Sequence, residues 1–137
     1  MSRVLSDEVS SDVKEQLLEF DVLDALRDFI GSDPLKHYLC DFMENTAQNI
    51  QRIGIAIASD DDQDVRQLAH KLKGSSGNIG ALKLAWQCVE LEALSVQESS
   101  PEELVAQYQQ LEQVYHDTQA ALHSYVGALA ITQETIV

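Results

Sequence analysis

Apolar residues recur at three- and four-residue intervals from about residue 12 to residue 130, in blocks separated by short polar, glycine or proline breaks. That period marks amphipathic helices, and no stretch keeps the alternation of a strand. The first block runs from Asp12 to Ile30, with a weak point near Phe20-Asp21, and Gly31 stops it. Ser32 or Asp33 can cap the second, with Pro34 in its first turn, and it reaches Ser59. Asp60-Asp61-Asp62 forms a turn and an N-cap for a third helix over 62–78. Gly77-Asn78-Ile79-Gly80 is the next break, and a fourth helix covers 81–96. Ser99-Ser100-Pro101-Glu102-Glu103 then opens a last helix over 101–130. Long helices joined by short loops imply antiparallel neighbours. The expected fold is all-α, an antiparallel up-and-down four-helix bundle over 12–130 with an additional N-terminal helix. A mobile tail is expected at 1–11 and a C-terminal tail at 131–137.

One segment departs from ordinary amphipathic patterning: Ala69-His-Lys-Leu-Lys-Gly-Ser-Ser-Gly-Asn-Ile-Gly-Ala81. At about 100° per residue, Val65, Leu68, Ala69, Leu72, Ser76 and Ile79 share an arc of roughly 100°, the core face. His70 lies about 150° from the centre of that arc and points at water. Lys73 and Gly74 follow one turn on, and Gly77 extends the bare side by another. A glycine inside a helix costs about 1 kcal/mol relative to alanine. Two of them beside one exposed histidine imply that another molecule must approach that side chain closely.

The run resembles the phosphoacceptor motif of histidine-containing phosphotransfer (HPt) domains, His-x-Leu-Lys-Gly-Ser-Ser-x-x-Ile/Leu-Gly. His70, Leu72, Lys73, Gly74, Ser75, Ser76, Ile79 and Gly80 match it as they stand. Phe20-Asp-Val-Leu-Asp-Ala-Leu-Arg27 is similar to the family's N-terminal helix. Leu39 to Ile50, with Phe42 and Asn45-Thr46, is similar to the helix that follows, and Trp86-Gln-Cys-Val-Glu-Leu-Glu92 to the helix after the histidine. The likeness spans about residues 13–126, most of the chain.

The resemblance implies a phosphorelay shuttle in two-component signalling. It would accept a phosphoryl group on His70 from a phospho-aspartate in the receiver domain of a hybrid sensor kinase and donate it to the aspartate of a response regulator. The partner would supply the acidic pocket and Mg²⁺, so this chain needs no cofactor and no metal of its own. The chemistry suits the residues. An imidazole is largely neutral near pH 7, attacks phosphorus directly and forms a P–N bond labile enough to hand on. The Lys73 ammonium can neutralise phosphoryl oxygens as charge develops. The resemblance also places at Glu92 an acid that hydrogen-bonds the ring and fixes its tautomer. Arg66, Lys71, Gly74 and Gly77 are the expected docking residues. Ser75 and Ser76 have no evident general base and are not read as nucleophiles.

Composition narrows this further. A formal net charge of −14 disfavours nucleic acid and anionic membrane surfaces, whereas Arg66, Lys71 and Lys73 make a basic island around His70. No apolar run is long enough to span a bilayer and no signal region opens the chain, so a cytoplasmic location is expected, as a monomer. Cys40 and Cys88 read as small core or near-core residues, not a disulfide. His37, His116 and His123 lack a glycine or lysine setting and read as surface residues. No nucleotide-binding loop is visible, so the phosphoryl group should not come from ATP directly. Two further readings are a non-catalytic adaptor that binds and sequesters a receiver domain, and a metal-binding bundle.

Overall fold

A computed structural model of the chain describes residues 16–97 and 99–136, with side chains through Leu129. The expected tail at 1–11 and the first residues of the first predicted helix lie outside this range. Five helices account for nearly all of the described chain: α1 (Phe20–Ile30), α2 (Ser32–Ala58), α3 (Asp62–Asn78), α4 (Leu82–Val96) and α5 (Pro101–Ile136). No strand occurs among the described residues. Among them, too, no helix is long and apolar enough to cross a membrane.

The helix boundaries follow local chemistry. The Glu19 carboxylate accepts from the Asp21 amide and starts α1. Gly31, at φ 95°, ends it with its amide on the Arg27 carbonyl, a conformation that favours glycine. The same residue opens α2, so neither Ser32 nor Asp33 caps that helix; both are already inside its first turn, which closes from Leu35 N to Gly31 O. The Asp61 carboxylate caps α3 by accepting from the Asp64 amide at 3.1 Å, with Asp62 and Asp64 adding negative charge to the first turn. The Ser100 hydroxyl accepts from the Glu103 amide at 3.2 Å and starts α5 behind Pro101.

Two expected boundaries shift and one break narrows. Residues 16–19 are not helical, because their backbone straps the α3–α4 turn instead: Glu19 N donates to Gly80 O at 2.7 Å and Lys83 N to Gln16 O at 2.9 Å. Helix α3 ends at Asn78 as expected, and the break after it is confined to Ile79-Gly80-Ala81, with Gly77 and Asn78 helical. Helix α5 continues to Ile136, past Ala130.

Packing closes a ring: α2 contacts α3, α3 contacts α4, α4 contacts α5, and α5 returns to α2, with α1 laid on α2. The core between them is aliphatic, led by Leu39, Ile53, Leu72, Leu84, Leu91 and Leu111. Two α5 tyrosines join it to α2 by donating to backbone carbonyls, Tyr108 to Ile50 at 3.0 Å and Tyr115 to Met43 at 2.7 Å. Gly54 makes the first of these possible, since a Cβ there would lie 2.6 Å from the Tyr108 hydroxyl. Cys88 belongs to the core as expected, but Cys40 is exposed on the outer side of α2.

Candidate functional site

Rotation of α3 about its axis is set by its apolar arc. Val65, Leu68, Ala69, Leu72 and Ser76 are all buried, and Ile79 follows at the cap. With that face pinned, the other side of the helix must face solvent, and the His70 side chain is 64% exposed. Ser76 lies in the core, where its hydroxyl oxygen has no partner among the described residues, as suits a small residue serving close helix packing.

Helix α4 brings Glu92 to the ring. Its carboxylate oxygens lie 3.2 and 3.4 Å from His70 Nδ1. A carboxylate only accepts, so this contact selects the tautomer with its proton on Nδ1. Nε2 is then the unprotonated nitrogen of a largely exposed ring. Proton position here follows from the partner's chemistry.

Around this pair the sequence-derived candidates separate into three groups. Gly74 and Gly77 lie on the open side of α3, where a Cβ at either position would meet no atom of the described residues within 4 Å. Neither glycine is required by packing or by a positive φ. Lys73 is half-buried on the same helix. It sits in the field that also holds Glu92 and the core thiol Cys88, whose pKa is pushed up to about 12 by burial, with the Glu92 charge adding to the rise and Lys73 opposing it.

Lys71 faces the other shoulder. With Ser75 it borders a groove of about 570 Å³ between α3 and α2, whose far wall includes Tyr38, Asp41, Asn45 and Arg52. That wall is a polar stripe at three- and four-residue spacing on α2, visible in the sequence but indistinguishable there from an ordinary solvated face. Arg66 belongs to neither shoulder as a free cation. It is half-buried and its guanidinium donates to the Ser95 carbonyl at 3.3 Å, in the last turn of α4. Proximity in sequence suggested a basic island of three residues; the fold splits them among three environments.

His37, His116 and His123 are exposed and remote from this site in the chain. Among the described residues no three of His, Cys, Asp and Glu are grouped so as to hold a metal ion. Sequence reasoning missed Ser95, Gly54 and the strap at 16–19, whose roles arise from tertiary contacts with no local signal.

Comparison with known proteins agrees with this architecture. The family model described as Hpt domain matches residues 37–130. The crystal structure of histidine-containing phosphotransfer protein B (HptB) from Pseudomonas aeruginosa PAO1 is similar with a TM-score of 0.75 at 25% sequence identity, covering 83% of this chain and 97% of that one. No curated protein matches the chain. The matched segment takes in α3 with its exposed histidine and more than half of all residues, and the chain belongs to the Hpt domain family.

Proposed function

We propose that this protein is a phosphohistidine carrier in a phosphorelay, with His70 as the phosphoacceptor. The observation that carries the reading is an exposed imidazole whose Nδ1 is engaged by Glu92 at 3.2 Å while its surroundings on α3 are cleared by Gly74 and Gly77. Nε2 attacks the phosphorus of an aspartyl phosphate on a receiver domain. The Nε2–P bond forms as the P–O bond breaks, and the aspartate leaves as a carboxylate with the bonding electrons. The ring gains positive charge, which the Glu92 carboxylate on Nδ1–H balances. Lys73 is suited to steady the phosphoryl oxygens during transfer. In the second half an aspartate of a response regulator attacks phosphorus, and the P–N bond breaks to restore neutral His70. Mg²⁺ chemistry belongs to the receiver in both halves.

The scaffold in this reading is an up-and-down bundle of α2 to α5 with α1 added at one end. Pairings in opposite chain order support it: Tyr108 and Tyr115 reach Ile50 and Met43, and Arg66 and His70 reach Ser95 and Glu92. Gly74, Gly77 and Lys71 lie where a receiver would dock, and a cytoplasmic monomer fits the role. The adaptor reading leaves the oriented, open imidazole without a use.

Incubation with a panel of phosphorylated receiver domains tests the proposal. Label should pass to this protein, be acid-labile and base-stable, and disappear with His70→Gln. ATP and Mg²⁺ alone should leave the protein unlabelled. Persistent labelling of the His70→Gln variant would refute the assignment.

A further inference from the structure

Arg66 stands one helical turn before His70, and its side chain is directed at α4. Its Nη2 donates to the Ser95 carbonyl at 3.3 Å. That carbonyl lies in the last turn of α4, where carbonyls have no helical partner and the helix dipole is negative, so a guanidinium suits it. Ser95 is itself tied back to the residue that touches His70, because its hydroxyl donates to the Glu92 carbonyl at 2.6 Å. The links close a ring: Arg66 to Ser95, Ser95 to Glu92, Glu92 to His70, and His70 to Arg66 through one turn of α3.

Two details give this ring a purpose beyond general packing. Among the described residues Arg66 Nε is buried with no hydrogen-bond partner, a cost set against the hold of Nη2 on the Ser95 carbonyl. And the Glu92 contact to Nδ1, at 3.2 Å, bridges two helices, so an outward drift of the end of α4 would lose it. Glutamate has a flexible stem and would not hold that geometry from a frayed helix end.

We propose that Arg66 is a positioning residue: by anchoring the last turn of α4 to α3 it holds the Glu92 carboxylate on His70 Nδ1 and so keeps the ring in the tautomer with Nε2 free. This deepens the proposed function, and the consequence for phosphotransfer rests on His70 being the acceptor. The tautomer itself can be read on this protein alone.

The test is nitrogen-15 NMR of the His70 ring in the parent protein, Glu92→Ala, Arg66→Met and Arg66→Lys, with melting temperatures alongside. The parent should carry its proton mainly on Nδ1. Glu92→Ala should move the ring toward the Nε2–H form. Arg66→Met should move it at least half as far, and Arg66→Lys, which keeps a donor for the Ser95 carbonyl, should restore most of the Nδ1–H signal. If Arg66→Met does not fold, Arg66→Gln, which is neutral and too short to reach, should show the same movement. An unchanged tautomer in a folded Arg66→Met or Arg66→Gln, even with a lowered melting temperature, would overturn the proposal and leave Arg66 a structural anchor. Transfer from a phosphorylated receiver should fall several-fold in Arg66→Met and recover in Arg66→Lys. A tautomer shift without any labelling of His70 in the parent would instead count against the acceptor assignment while supporting the positioning role.

Discussion

Two pairs of glycines in this molecule look alike in the sequence and are opposites in the structure. At Gly54 and Gly80 there is no room for a side chain: a Cβ would lie 2.6 Å from the Tyr108 hydroxyl in one case and 2.9 Å from the Glu19 carbonyl oxygen in the other. At Gly74 and Gly77 a Cβ would meet nothing of the described residues within 4 Å. The first pair exists for contacts inside the chain. The second lies in the last two turns of α3, unneeded by its packing, where a glycine inside the helix costs up to about 1 kcal/mol relative to alanine. A glycine that the fold does not require is a pointer to something outside the fold, and these two follow His70 by one and two turns on the same side of α3.

The largest expected effect comes from filling the crowded pair. Gly80 adopts φ 79° and holds the strap at 16–19 through its carbonyl, so Gly80→Ala combines backbone strain with a clash against backbone. It should lower stability in denaturant titration by about 3 kcal/mol. Gly54→Ala should lose less, about 1 kcal/mol net, because displacing the Tyr108 hydroxyl from Ile50 is partly offset by the better helix former. Full stability in both variants would remove the contrast.

Filling the open pair should do the reverse. Gly74→Gln is expected to raise stability by up to about 1 kcal/mol, since its dihedrals are helical and its surroundings empty. Phosphotransfer from a receiver should nevertheless fall at least tenfold, because the new side chain projects where the partner must approach. Lost stability with unimpaired transfer would show that Gly74 serves the helix and that docking occurs elsewhere.

Lys73→Ala refines the contrast on the same helix. Substitution of this half-buried side chain, whose position lies outside the buried core, should change stability by no more than about 0.5 kcal/mol. Transfer should slow, or the phosphohistidine should decay faster, as measured by loss of label with time. Equal rates and lifetimes would return Lys73 to an ordinary solvated side chain.

The smallest effect separates the two cysteines, a second pair that composition alone treats alike. Cys40 is exposed, while burial pushes the Cys88 thiol up to about 12. At pH 8 in the folded protein a thiol reagent should modify Cys40 quickly and Cys88 only after denaturation. Rapid modification of both would contradict the packing of α4.

How much could be read from the chain follows the same division between local and tertiary causes. The helical segments, the Asp61 and Ser100 caps and the outward placement of His70 depend on periodicity and on neighbours within four residues, so they were legible. The start of α1 was not, because residues 16–19 are drawn out of helix by hydrogen bonds to Gly80 and Lys83, more than sixty positions away. Arg66 was grouped with Lys71 and Lys73 by proximity in sequence, but α4 claims its guanidinium through Ser95. Glu92 was legible only through the family resemblance, since nothing local tells an acid that faces solvent from one that faces a ring on the adjoining helix.

The most direct measurement is NMR of the nitrogen-15-labelled protein after phosphorylation by a receiver domain. Phosphorus-31 should couple to Nε2 of His70 and to no other nitrogen, with Nδ1 retaining its proton toward Glu92. A phosphoryl group on Nδ1, or on any residue other than His70, would contradict the account.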